Sequence, residues 1–176
     1  LGAAHAQTGP VLDRIRAEGK IVLAHREASV PFSFLDAQGQ PVGYALDICR
    51  RLASAVQQKL GMDKLAVQYL QVTPANRIDA IAQGKAHLEC GSTTNNAARR
   101  EKVAFTVPHF ITGARLMVKA DSAVDRLDHP ALKSVVSTRN TTPLAALRQA
   151  DRERFLRLRI LEAEDHQQAV AMVEKG

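Results

Sequence analysis

Glu89-Cys90-Gly91-Ser92-Thr93-Thr94-Asn95-Asn96, with Arg99 shortly after, is the stretch that decides how this chain is read. An apolar run precedes it and a short helical pattern follows, so its hydroxyls and amides sit where a strand opens onto a helix. Backbone N–H groups at a helix start, Ser and Thr hydroxyls and a guanidinium together make a receptor for a carboxylate or phosphate. The plainer reading of the same residues is a Gly/Ser/Asn turn beside a solvated arginine.

Working outward, residues 11–16 carry helical spacing and Gly19 ends that helix. Ile21-Val22-Leu23-Ala24 reads as a buried strand with His25-Arg26-Glu27 at its end. Phe32-Ser33-Phe34 and Val42-Gly43-Tyr44 flank a hairpin-like turn at Asp36-Ala37-Gln38-Gly39-Gln40. Leu46, Ile48, Leu52, Ala55, Val56 and Leu60 mark an amphipathic helix over 45–60, closed by Gly61. Residues 65–70 form the next expected strand, 78–82 a short helix and 86–90 another strand. A second alternating series follows, with strands at 114–119, 135–138 and 158–161 and a helix over 165–175. Asn140-Thr141-Thr142-Pro143 opens a helix in the manner of an N-cap and early proline.

Alternating strands and helices predict α/β units around largely parallel sheets. Ligands of such sheets bind outside the carboxyl ends of the strands. That rule places Arg26, the loop before Arg77 and the segment 92–99 at one rim, where three arginines call for an anion.

Composition narrows the classes. At 176 residues the chain suits one or two small domains, and 45% hydrophobic with 24% charged content is ordinary for a folded protein. No apolar run approaches the ~20 residues of a membrane span. A net charge of +6 favours anionic partners without choosing among them. Aromatic content of 4% without Trp argues against base-stacking surfaces, and the runs Arg99-Arg100 and Arg152, Arg154, Arg157, Arg159 read as solvated faces, so nucleic acid is not the expected partner. The six histidines lack ligand spacing and neither Cys49 nor Cys90 lies in a CxxC, so no metal is expected. Nucleotide-binding glycine motifs and the G-x-S-x-G elbow are missing too. Cys49 and Cys90 either pair in an oxidising compartment or stay as buried thiols; the sequence leaves both open. Leu1-Gly2-Ala3-Ala4-His5-Ala6-Gln7 reads as the tail of a secretory signal with Ala4-His5-Ala6 as its cleavage site, against the alternative of a small-residue tail.

Ala24-His25-Arg26-Glu27-Ala28-Ser29-Val30-Pro31-Phe32-Ser33-Phe34, Val42-Gly43-Tyr44, Asn76-Arg77-Ile78 and the 89–96 string resemble the periplasmic glutamate/aspartate-binding proteins. These are amino-acid-binding members of the bacterial family 3 solute-binding proteins, which feed ABC importers. The resemblance runs from about residue 11 to the end, with Asn140-Thr141-Thr142 and Glu164-Asp165-His166 matching later. It implies a type II periplasmic-binding-protein-like α/β fold, two lobes joined by a hinge that closes on ligand. Residues 9–112 would form the first lobe, 113–176 part of the second and 1–8 the signal remnant, placing the protein in the periplasm.

The resemblance also assigns roles. Arg99 with Ser92 and Thr94 would hold the ligand's α-carboxylate, Arg26 and Arg77 would meet its side-chain carboxylate, and Thr142 and His166 would reach in from the second lobe. It implies no cofactor, no metal and no catalytic residue; the partners are glutamate or aspartate and an ABC permease. Each hydrogen bond to a charged group is worth roughly 1.5–3 kcal/mol, so several suffice for the ~8 kcal/mol of micromolar binding after ordering costs. Structural alternatives stand beside each role: Arg26 could pair with Glu27 or Asp47, Arg77 could merely start a helix, Arg99 could be a surface charge, and His166 could be structural beside Asp165.

Two departures matter. Thr73-Pro74-Ala75-Asn76-Arg77 carries proline where the family commonly has serine, removing a hydroxyl and an N–H, which leaves glutamate, aspartate and related dicarboxylates undistinguished. The chain also ends at Gly176, ahead of the family's return crossover and of the acidic residue that takes the ligand's ammonium group. An incomplete second lobe and impaired affinity are therefore expected, with either self-association through unfinished sheet edges or an incomplete record of a longer protein. The rivals on the same fold are a ligand-sensing input domain of a receptor or kinase and a dehydratase-like enzyme using His166 or Glu27.

Overall fold

The computed structural model describes residues 9–176. The expected signal remnant at 1–8 lies outside the described residues. Two compact units divide the chain: Leu1–Val72 with Asn76–Ser92, and Thr73–Ala75 with Thr93–Gly176.

In the first unit, α1 (Pro10–Glu18) starts at a proline, whose missing N–H is of no consequence there, and ends at Gly19 with φ 64°. β1 (Lys20–His25) is then the centre of a parallel sheet ordered β5-β1-β6, with β5 at Ala66–Gln71 and β6 at Leu88–Glu89. Strand periodicity sends successive side chains to opposite faces. Ile21 and Leu23 enter a core with Ile15, Leu46, Cys49, Ala53, Leu60, Leu65 and Cys90. Ala24 enters another with Val72, Ala80 and Ala86. Helix α2 (Tyr44–Lys59) covers the first face, and Leu46, fully buried, makes the seam; its truncation to alanine would cost about 2–5 kcal/mol. Helix α3 (Arg77–Ala82) carries Ala80 into the second core.

A small antiparallel sheet follows β1, formed by β2 (Ala28–Ser29), β3 (Ser33–Leu35) and β4 (Pro41–Val42). Asp36 Oδ1 accepts from the N–H groups of Gln38 and Gln40 and so shapes the expected turn. Gly43 is required before α2: φ is 126°, and an added Cβ would lie 2.5 Å from the Phe32 carbonyl oxygen.

The second unit contains α4 (Ala97–Arg100), β7 (Ser134–Thr138), α5 (Thr142–Arg154), β8 (Arg159–Ala163) and α6 (His166–Lys175). β7 and β8 pair in parallel, with Thr138 opposite Ala163. An apolar cavity of about 1180 Å³ opens beside them, lined by Leu116, Met117, Val135, Leu147, Leu161 and Val170 among others. The strand expected over 114–119 is not formed. A strand exists only as one side of a hydrogen-bonded ladder, and this apolar run has no ladder partner among the described residues.

Cys49 and Cys90 form a disulfide, settling the alternative the sequence leaves open; it ties α2 to the segment after β6 with a Cα–Cα distance of 6.2 Å. The sequence separation is 41 residues, for which loop-closure entropy gives about 4 kcal/mol of stabilisation. Reduction should therefore lower unfolding stability by roughly that amount, read as the shift between denaturant titrations with and without reductant; an unchanged midpoint would contradict it.

His87 supplies a second stabilising contact. Its backbone N donates to the Val22 carbonyl (2.8 Å), and its Nδ1 accepts from the Val22 N–H (2.9 Å), so the ring stands in for a ladder carbonyl. Only a neutral imidazole with a bare Nδ1 can do this. Burial, then the charge of Arg14, lower its pKa, with Lys20 acting the same way and Glu18 opposing. The unfolded chain thus binds the proton more readily. This contribution is complete above the ordinary value of 6.5 and is lost as pH falls through the lowered folded value. Thermal unfolding from pH 8 to pH 4 should show a steeper acid loss in the wild type than in His87→Asn; parallel curves would refute the role.

Candidate functional site

Arg26 follows β1 directly and is 2% exposed; Arg77 is the first residue of α3 and is 3% exposed. Burying a guanidinium costs several kcal/mol unless polar groups surround it, so two in one unit mark a place built for charge. The small antiparallel sheet supplies buried hydroxyls beside the end of β1. Ser33, fully buried, accepts from the Arg26 N–H through its hydroxyl (2.9 Å). Ser29, 1% exposed, shares a hydrogen bond with Ser92 between their hydroxyls (2.8 Å). Nη1 of Arg26, Nε of Arg77 and Oε1 of Glu89 are enclosed by protein and make no hydrogen bond, while each residue keeps an interaction elsewhere.

Gly91 makes this packing feasible. A Cβ there would lie 2.4 Å from Glu89 Oε1 and 3.1 Å from Arg26 Cγ, so the missing side chain is the room these two occupy. The Glu89–Asn96 string thus begins as described by its sequence, at the carboxyl end of β6.

The second unit gathers the other residues. Thr94 and Thr142 share a hydrogen bond between their hydroxyls (2.9 Å), and Arg99 Nη1 donates to the Thr94 carbonyl (2.8 Å). Asn96 caps α4, its Oδ1 accepting from the Arg99 N–H (3.0 Å). Thr142 opens α5 behind the cap residue Thr141, whose hydroxyl donates to the Thr138 carbonyl (2.6 Å). Thr138, at the carboxyl end of β7, holds His166 Nδ1 through its hydroxyl (2.8 Å), and Asp165 caps α6. The ring of His166 is therefore fixed through one nitrogen and presents Nε2 as its other polar atom.

Of the residues singled out from sequence, Arg26, Arg77 and Ser92 fall in the first unit, and Thr94, Arg99, Thr142 and His166 in the second. Sequence reading passed over Ser29, Ser33, Thr138 and Glu89. Ser29 and Ser33 were within the quoted stretch but had no positional signal, because their role depends on the antiparallel pairing of β2 with β3. Thr138 closes an apolar strand, where a hydroxyl is a usable clue. Glu27, one of the acid/base candidates, is exposed and accepts from Gln71 Nε2 (2.7 Å). Among the described residues no group of three or more His, Cys, Asp or Glu is assembled to hold a metal.

Ser29→Ala should cost about 1 kcal/mol in denaturant unfolding, because it leaves Ser92 without its hydroxyl partner. A neutral substitution would show that the pair contributes nothing to the fold.

Comparison with known proteins identifies the relatives of this chain. Residues 21–168 match the family model described as bacterial extracellular solute-binding proteins, family 3. The glutamate/aspartate import solute-binding protein of Salmonella typhimurium is 39% identical over 99% of this chain and 60% of its own length. The L-glutamate/L-aspartate-binding protein of Pseudomonas aeruginosa is 37% identical over 94% of this chain and 55% of its own. The chain thus spans a little over half the length of these relatives. Among solved structures, an ancestral amino-acid-binding protein described as a precursor of cyclohexadienyl dehydratase superposes with a TM-score of 0.79 at 26% identity, covering 94% of this chain and 70% of its own.

Proposed function

The chain belongs to the bacterial extracellular solute-binding proteins, family 3, and we propose that it captures an acidic amino acid outside the cytoplasm for delivery to an ABC importer. The observation that carries this reading is the burial of two guanidinium groups, Arg26 and Arg77, in one unit. Guanidinium groups bind carboxylates through strong, charge-assisted and often bidentate hydrogen bonds. A ligand with a second, side-chain carboxylate gains such bonds at these arginines, and a neutral amino acid does not. The glutamate/aspartate-binding relatives from Salmonella typhimurium and Pseudomonas aeruginosa support the same ligand class.

In this reading Arg26 and Arg77 meet the side-chain carboxylate. Arg99 takes the α-carboxylate together with the hydroxyls of Ser92 and Thr94, its guanidinium already steadied by the Thr94 carbonyl. Thr142, hydrogen-bonded to Thr94, and His166, fixed by Thr138, supply further polar contacts. The work is binding and release, and the energy for import comes from the ATPase partner.

Isothermal titration of the chain with L-glutamate, L-aspartate and L-glutamine tests the reading. Either acid should bind saturably and well ahead of glutamine. Arg99→Ala should weaken binding about 100-fold, the equivalent of two charged hydrogen bonds. Equal affinity for glutamine, or an Arg99→Ala variant that binds like the wild type, would overturn it.

A further inference from the structure

Glu89 is an acidic group enclosed beside a cationic one, and neither the family reading nor the ligand assignment uses it. The parallel register sets Glu89 opposite Ala24, and the Cys90 N–H donates to the Ala24 carbonyl (2.9 Å), so β6 is locked to the end of β1 at this point. Arg26 comes directly after His25, the last residue of β1. The absent side chain of Gly91 then fixes the proximity of Glu89 and Arg26: the one position where its Cβ would stand is 2.4 Å from Glu89 Oε1 and 3.1 Å from Arg26 Cγ. The disulfide at Cys90 anchors the intervening backbone to α2.

We propose that Glu89 is a positioning residue, whose carboxylate, seated in the room left by Gly91, holds the Arg26 side chain in the orientation that receives the ligand's side-chain carboxylate. This rests on the acidic-amino-acid reading above and deepens it. A guanidinium on a three-carbon stem can present its donors in many directions, and ordering it costs rotamer entropy. A carboxylate already beside the stem removes that freedom before ligand arrives, which is how a preorganised site gains affinity. The same reasoning gives the glycine a role in recognition: any side chain at position 91 would evict the carboxylate.

The test is a double-mutant cycle on ligand affinity. L-Glutamate is titrated into the wild type, Glu89→Gln, Arg26→Lys and the double variant, with thermal unfolding of each as a check on folding. Glu89→Gln should weaken binding about tenfold in the wild-type background and by less than about twofold when Arg26 is already lysine, because Glu89 acts through that guanidinium. Gly91→Ala changes no charge and should reproduce the loss seen in Glu89→Gln. Equal costs in both backgrounds, or a Gly91→Ala variant of wild-type affinity, would overturn the role of Glu89 and leave the acidic-ligand reading intact. A folded wild type that does not bind L-glutamate or L-aspartate would overturn both.

Discussion

Taking a guanidinium out of water is costly, and the contacts that fix the position of Arg26 run through much of the first unit. Its backbone is tied to the Ser33 hydroxyl, which obliges the chain to double back as a short antiparallel sheet directly after β1. Its side chain lies against the space left by Gly91, two residues beyond the end of β6. The Cys49–Cys90 bridge holds that end in place from the opposite face, where α2 packs on Leu23 and Ile21. Relaxing any of these contacts loosens the backbone and the packing that hold a buried arginine in place.

The second unit solves a lighter problem. Its polar residues are short hydroxyls at strand and helix ends, and they satisfy one another: Thr94 with Thr142, Thr138 with His166, Thr141 with the Thr138 carbonyl. Such contacts are worth on the order of 1 kcal/mol each and set orientation more than stability. The contrast is between buried guanidiniums in the first unit and side-chain-capped helix starts in the second.

Most of the α/β alternation was legible because its signals are local. Pro10 and Gly19 bound α1, the apolar spacing through Leu46 and Ala53 shows α2, and Thr141 with Pro143 announces α5. Elements that exist only through a partner were harder to read. The apolar run over 114–119 carries strand composition without a ladder, and β6 shrinks to two residues because only Leu88 and Glu89 find register with β1. The candidate site divides the same way. Arg26, Arg77 and Arg99 stand out by charge and motif, whereas Ser29, Thr138 and Glu89 acquire meaning only from what lies opposite them. The Cys49–Cys90 bridge needed the packing of α2 against the sheet to bring the two sulfurs together.

The boundary between the two compact units falls between Ser92 and Thr93, in the middle of the Glu89–Asn96 string. Eight consecutive residues therefore belong half to each unit, with Ser92 bonded to Ser29 on one side of the cut and Thr94 bonded to Thr142 on the other. A chimaera that exchanged either unit would have to sever this string, and would part the Ser92–Ser29 bond from the Thr94–Thr142 bond within a single run of chain.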